Sequence, residues 1–159
     1  TPYLRFSFDK MGYEKYVRRA FEIYSRYDIK ANFFLYMLFN YNDTPHDVWK
    51  RLVIGQELST LHQKHIMFFP QRFEPFQALE KYKYIGKHWT PELASGMRRL
   101  STWLHGFLTV SPNGNLFKWI GETEKDFFGH VMRFGTERGY RLVKHEKDID
   151  LERIIRSIK

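Results

Sequence analysis

The sequence contains no cysteine. This absence excludes disulfide bonds, thiolate zinc sites, a cysteine nucleophile and cysteine-ligated iron–sulfur clusters within the chain. Long apolar runs are also missing, because the most apolar stretch, 33–39, ends at Asn40 and falls well short of the ~20 residues of a membrane span. Arg5 and Asp9 interrupt the only early apolar segment, so there is no secretory signal pattern. We therefore expect a cytosolic protein without a membrane partner.

Familiar catalytic and cofactor motifs are missing as well. The seven histidines form no metal-type pair, and the HExxH, Walker, GxGxxG and GxSxG motifs are all absent. The sequence therefore predicts no metal site and no catalytic residue.

The composition is typical of one globular domain, and its charge favours an anionic partner. A chain of 159 residues with 43% hydrophobic and 18% aromatic residues can build one core filled with large side chains. The net charge of +8 and the isoelectric point near 9.6 favour nucleic acid or a phosphorylated ligand. A solvated basic surface explains the same charge equally well.

The first half of the chain alternates strands with helices. The run ANFFLYMLFNYNDTPHD, 31–47, predicts a strand buried on both faces that leads directly into a helix, with Thr44 as N-cap and Pro45 at the first helical position. Such alternation is typical of βαβ units and a parallel sheet. We predict strands over residues 3–9, 31–40 and 65–73, with Pro70 at the end of the third strand. We predict helices over residues 10–28 and 45–63.

The second half predicts a loop followed by helices. Residues 74–89 interleave lysine and aromatic residues, so they either contact single-stranded nucleic acid through Lys81, Lys83 and Lys87 or form a loop held by its aromatic side chains; we favour the second interpretation. We predict helical stripes over 91–107, 117–135 and 150–159, with a turn at 111–115. Residues 1–76 and 77–159 are expected to form two parts of a single domain.

The predicted ligand site lies at the carboxyl ends of the parallel strands. These ends carry Ser7 and Asp9, the segment 40–44, and Gln71 with Arg72. Their side chains can hydrogen-bond ribose hydroxyls and amino-acid groups, and Arg72 can pair with a carboxylate.

Several segments together resemble the carboxyl-terminal half of a radical S-adenosylmethionine (radical SAM) protein: LRFSFD, FFLYMLFNYNDTPHDVWKRL, IMFFPQRFEPF and YKYIGKHW. The resemblance covers roughly residues 3 to 110 and depends most on YNDTPHD and FPQRFEP. It implies a TIM-like partial (β/α)6 barrel, of which the three strands here are the fourth, fifth and sixth, followed by a helical region. It also implies S-adenosylmethionine and a [4Fe-4S] cluster in the intact family member.

The resemblance also implies which residues contact the cofactor. The ribose or amino-acid end falls on Arg5, Ser7 and Asp9, the adenine falls near 38–40, and the sixth-strand exit falls near 69–71. Together with the residues at the strand ends, the predicted cofactor contacts are Arg5, Ser7, Asp9, Leu38, Asn40, Gln71 and Arg72.

The chain departs from the family in its cluster ligands. The CxxxCxxC cysteines and the glycine-rich second-strand motif are absent, and Phe39 and Asn42 stand where the fifth strand usually has glycines. We therefore expect a catalytically silent carboxyl-terminal portion that binds no cofactor alone. Because a strand begins almost at Thr1, we expect a fragment that pairs with the missing amino-terminal half or with another subunit. The alternatives are a basic, aromatic-rich nucleic-acid-binding module and a partner scaffold.

Overall fold

The computed structural model describes residues 3–77, 80, 82–114 and 116–140. Its sheet has four strands in sequential order; the first three are parallel and the fourth is antiparallel. The α/β class predicted from the sequence is confirmed. The strands are β1 (Tyr3–Ser7), β2 (Asn32–Phe39), β3 (Ile66–Arg72) and β4 (Leu108–Val110), and the helices are α1 (Glu14–Arg26, after a 3-10 turn at Met11–Tyr13), α2 (Pro45–His62), α3 (Pro91–Trp103), α4 (Leu116–Ile120) and α5 (Glu124–Thr136).

Helix α2 begins where the sequence predicts. The Asp47 amide donates to Thr44 Oγ1 at 3.1 Å, and the Thr44 amide donates to Asp47 Oδ2 at 2.7 Å. This reciprocal capping box satisfies two amides that would otherwise lack partners at the helix start. Gln63, in the left-handed conformation with φ 52°, ends the helix.

One face of the sheet is covered by helices. Alternate residues of β2, from Phe33 to Phe39, are at most 1% exposed, and the ring of Phe21 in α1 stacks on Phe33 at 3.7 Å. Gly55 of α2 lies so close to β3 that a Cβ there would sit 2.4 Å from the Phe68 ring. The helices α1 and α2 therefore pack on the same face. The other face carries the alternate residues of each strand.

Pro70 lies inside β3, opposite Met37, rather than at its exit. The Phe33 amide donates to the His65 carbonyl, and the Phe73 amide donates to the Phe39 carbonyl. Because the backbone groups of alternate residues in a strand point to the same side, the odd-numbered residues of β3 direct their amides toward β2. The nitrogen of Pro70 faces the other way, where β4 pairs only with 66–68. The strand accepts proline because no strand of the described residues pairs with β3 at that position.

Two predicted helical stripes are interrupted. The stripe over 91–107 ends at Trp103, and the chain turns through His105 and Gly106, both at positive φ, into the unpredicted strand β4. The stripe over 117–135 divides at Gly121, whose φ of 94° suits glycine, and α5 ends one residue beyond Gly135. In both cases an apolar period continued across a left-handed turn.

The buried core spans both predicted parts of the chain, from Phe8 to Phe134. The predicted helix at 150–159 lies outside the described residues. Within the part of the chain that the structure describes, no helix combines the length and the apolar character needed to cross a membrane.

Two partly buried histidines make folding sensitive to acid. Burial lowers the pKa of both His62 and His130 below its ordinary value of 6.5. The unfolded chain therefore binds protons first as the pH falls, so stability is present above about pH 6.5 and is lost as the pH falls through the lower pKa of the folded state. We expect the free energy of unfolding to decrease between about pH 7 and pH 5, as measured by urea denaturation. The decrease should be smaller in a His62→Gln/His130→Gln variant than in the wild-type protein, and the exposed control His88→Gln should behave as the wild type. The same change of stability with pH in all three proteins would refute this expectation.

Candidate functional site

Several predicted contact residues share the sheet face opposite the helices. Arg5 and Ser7 of β1 and Gln71 of β3 are exposed there, and Leu38 of β2 is half-buried. Leu38 pairs with Gln71, and Ser7 pairs with Tyr36 of the same central strand. Because the three strands are parallel, Ser7, Leu38 and Gln71 lie near one edge of the sheet. This face, which we call the open face, presents hydrogen-bonding groups at that carboxyl edge.

Aromatic rings occupy the middle of the open face. Phe34 lies 5.0 Å from Tyr36, 5.9 Å from Phe69 and 5.6 Å from Phe107, measured between ring centres. The guanidinium carbon of Arg5 lies 5.7 Å from the Phe34 ring centre, within the range of a cation–π contact. The open face therefore combines an apolar aromatic floor with a polar rim.

Asp9 joins the ends of β1 and β2. Its Oδ1 accepts a hydrogen bond from the Leu38 amide at 2.7 Å, and its Oδ2 accepts one from the Ser7 hydroxyl. The carboxylate thus continues the ladder beyond the last residue of β1. This role fixes the position of Ser7, and it leaves Asp9 less free to bind a ligand than Arg5 or Gln71.

Arg51 of α2 is fully buried beneath this edge and was not predicted from the sequence. Its Nη1 lies within hydrogen-bond distance of the carbonyl oxygens of Phe8 (3.0 Å), Asp9 (2.8 Å) and Leu38 (2.8 Å). Its Nη2 donates to Asp43 Oδ2 at 2.8 Å. One guanidinium therefore joins the ends of two strands to the turn that follows β2.

Burial disfavours the charge on both members of this pair. It lowers the pKa of Arg51, against the opposing effect of the Asp43 and Asp47 charges. It raises the pKa of Asp43, although the Tyr41 amide and the Arg51 charge oppose the shift. Arginine stays protonated at neutral pH, so the buried guanidinium depends on the acceptors around it. The only sequence signal for this role was an arginine in an apolar stretch of α2.

The exit of β2 is organised by Asn40. This buried residue adopts a left-handed conformation with φ 67°, and its Nδ2 donates to the carbonyls of Phe73 at 3.3 Å and Tyr84 at 3.1 Å. Its Oδ1 accepts a hydrogen bond from the Gly86 amide at 2.9 Å. A Cβ at position 86 would lie 2.7 Å from two carbonyl oxygens, so only glycine allows the loop to approach this closely. Asn40 therefore binds the chain itself, and its predicted cofactor contact stays a prediction.

Replacing Asn40 with glycine should separate its side-chain bonds from its backbone conformation. Glycine keeps the left-handed conformation but leaves the Gly86 amide and two carbonyls without their partner, so we expect a loss of about 2 kcal/mol in the free energy of unfolding. Asn42→Gly, at an exposed neighbouring position, is the matched control and should lower the free energy of unfolding by at most about 0.5 kcal/mol. Chemical denaturation measures both values, and equal effects would show that these hydrogen bonds contribute little.

Arg72 points away from the open face. Its Nη2 donates to the carbonyls of Tyr82 at 2.9 Å and Tyr84 at 2.8 Å, and its side chain is only 5% exposed. Within the described part of the chain its Nε has no hydrogen-bond partner, and it lies 3.9 Å from Glu74 Oε1. The structure therefore separates Arg72 from Gln71, which precedes it on the opposite face, and the carboxylate contact proposed for Arg72 stays a prediction.

The described residues of the lysine-rich loop, 74–89, form neither helix nor strand, and the choice between the two interpretations of this loop stays a prediction. Trp89 is buried and its Nε1 donates to the Asp43 carbonyl at 3.0 Å, while Asn40 and Arg72 hold the backbone near Tyr84. Lys83 is exposed and pairs with Glu80 at 2.8 Å. Lys87 is exposed, and Lys81 lies outside the described residues.

A metal site is not present among the described residues, because they contain no group of three or more histidine, aspartate or glutamate side chains placed to hold an ion.

The comparisons with known proteins give no relative: no protein-family model, no curated protein and no solved structure matches this chain.

Proposed function

We propose that this chain is the carboxyl-terminal part of a radical SAM enzyme and forms the last three strands of a partial (β/α)6 barrel. The observation that carries the proposal is the sequential order of three parallel strands whose helices, among the described residues, cover one face. A doubly wound sheet reverses its strand order and is covered on both faces, whereas a barrel keeps sequential order and turns its uncovered face inward. The open face would then line the lumen.

Side chains of the open face offer contacts for S-adenosylmethionine. The hydroxyl of Ser7 and the amide of Gln71 can hydrogen-bond ribose oxygens, and the guanidinium of Arg5 can pair with the carboxylate of the methionine end. All three side chains are exposed on this face. Leu38, half-buried between β1 and β3, offers an apolar contact for a flat base.

The residues do not fit the iron–sulfur cluster. A [4Fe-4S] cluster in this family is held by thiolates, and the chain contains no cysteine. In the proposal, another segment holds the cluster, and this chain contributes binding and orientation of the nucleoside. By itself it binds no cofactor and catalyses no reaction.

The edge of β1 supports the proposal of a partner. Among the described residues the outer edge of β1 is unpaired, because the sheet begins at that strand. Unpaired edges invite pairing with another strand. We propose that the amino-terminal half of the barrel, or another subunit that replaces it, pairs with Tyr3–Ser7.

The test is expression of the complete reading frame that contains this chain, followed by anaerobic reconstitution with iron and sulfide. We expect bound iron and saturable binding of S-adenosylmethionine in calorimetry, with affinity reduced about tenfold by Arg5→Ala. Arg19→Ala, which removes an exposed arginine of α1, is the control and should leave the affinity unchanged. Binding that is insensitive to Arg5→Ala, Ser7→Ala and Gln71→Ala would refute the assignment of the open face.

A further inference from the structure

A cleft lies where the carboxyl-terminal ends of α3 and α5 meet. It encloses about 330 Å³. Its walls come from both helices and from the segment that follows α5, so it is built by tertiary packing and not by one element. The residues that shape it are Arg98, Arg99, Trp103, Phe134, Arg138 and Tyr140.

Positive charge dominates the cleft and its rim. Arg98, Arg99 and Arg138 line it, and Arg133 lies against Tyr140 with its guanidinium carbon 5.8 Å from the ring centre. Within the described residues, no carboxylate lies within ion-pair distance of any of these four arginines. Among the described residues that line the cleft, Glu137 is the one acidic side chain. An anion entering the cleft therefore meets uncompensated guanidinium groups.

Two of the arginines are held in place by the protein. Arg99 Nη1 donates to the carbonyl of Phe134 at 2.7 Å, at the end of α5. Arg98 lies over the ring of Tyr82 at 4.8 Å, and its buried Nε has no hydrogen-bond partner among the residues that the structure describes. A buried donor without an acceptor is uncommon in folded proteins. The Arg98 guanidinium is thus both positioned and incompletely satisfied.

Aromatic side chains stand beside these arginines. Trp103 and Tyr140 are half-buried, and each packs against Phe134, with ring centres 6.2 Å and 4.8 Å apart respectively. Flat rings next to arginines are the combination that binds successive bases and phosphates of single-stranded nucleic acid. Neither feature depends on the lysines of the 74–89 loop.

We propose that this arginine–aromatic cleft binds a nucleotide unit of single-stranded nucleic acid. A base stacks on Trp103 or Tyr140, and the adjoining phosphates pair with Arg98 and Arg138. A free mononucleotide also presents a base and a phosphate, so it is the alternative ligand of this cleft. The site is independent of the open face and of the function proposed for that face.

The experiment uses fluorescence anisotropy of the 159-residue chain with a labelled 12-nucleotide oligouridine, at increasing salt. We expect saturable binding that weakens as salt increases, and an affinity reduced at least tenfold in Arg98→Ala/Arg138→Ala. Arg26→Ala/Lys50→Ala also removes two exposed charges, both outside the cleft, and is the matched control. It should lower the affinity by less than about threefold. Thermal melting of each variant checks that it is folded.

Four outcomes separate the possibilities. Loss of binding in the cleft variant with retention in the control supports the proposal. Equal losses in the two variants, or no binding to the oligonucleotide or to uridine monophosphate at low salt, overturn it. If uridine monophosphate competes as strongly per molecule as the oligonucleotide, and with the same dependence on Arg98 and Arg138, the cleft is a mononucleotide site and the assignment to single strands is overturned.

Discussion

Replacing Arg51 with methionine should lower the free energy of unfolding by about 3–5 kcal/mol, as expected when one partner of a buried ion pair is removed. The substitution leaves the Asp43 carboxylate buried without its cation and deprives the carbonyls of Phe8, Asp9 and Leu38 of a donor. Methionine has a similar length, so the expected loss reflects charge and hydrogen bonding more than volume. Urea denaturation followed by circular dichroism measures it.

Two further variants make this expectation specific. Arg18→Met removes a partly exposed arginine that pairs with Glu14 and Glu57, and it should cost at most about 1 kcal/mol. Asp43→Asn combined with Arg51→Met removes the uncompensated charge and should recover part of the loss. Similar effects of Arg18→Met and Arg51→Met would contradict the role that we assign to Arg51.

The second large effect is expected where α3 and α5 cross. A Cβ at Gly96 would lie 1.9 Å from the Val131 carbonyl oxygen, and a Cβ at Gly135 would lie 2.1 Å from that of Glu92. These contacts are with backbone atoms, so a side-chain rotation cannot relieve them. Gly96→Ala and Gly135→Ala should each force the helices apart and cost about 3 kcal/mol, at the upper end for overpacked cores.

Gly129 supplies the matched control on the same helix. It is exposed, and a Cβ there meets no atom within 4 Å. Alanine at this position should stabilise the protein by up to about 1 kcal/mol, because glycine disfavours a helix interior. Chemical denaturation of the three variants provides the comparison. A Gly135→Ala variant as stable as Gly129→Ala would show that the helices do not approach as closely as described.

The sequence predicted the elements whose boundaries are encoded locally. Thr44 and Thr90 followed by proline mark the starts of α2 and α3, and the alternation of YLRFSFD separates the two faces of β1. The loop interpretation of 74–89 also follows from local composition, because no period survives there. In each case, residues close in sequence are sufficient to determine the structure.

The missed features depend on contacts between distant residues. Arg51 owes its role to the carbonyls of Phe8 and Asp9, 43 and 42 residues away. The short strand β4 exists because Leu108–Val110 pairs with β3, and three residues carry little signal of their own. The cleft between α3 and α5 requires the fold before Arg98 and Arg138 can be placed together. Periodicity within one segment contains none of this information.

The central claim is that the open face is the inner surface of a partial barrel completed by a cluster-bearing segment. The most direct measurement is the iron content of the protein encoded by the complete reading frame that contains this chain, after anaerobic purification. The sequence of that frame upstream of Thr1 is determined in the same experiment. We predict a CxxxCxxC segment in that frame and about four iron atoms per chain, as a [4Fe-4S] cluster requires. A reading frame that encodes no such cysteines, or that yields a protein without iron after reconstitution, would contradict the claim.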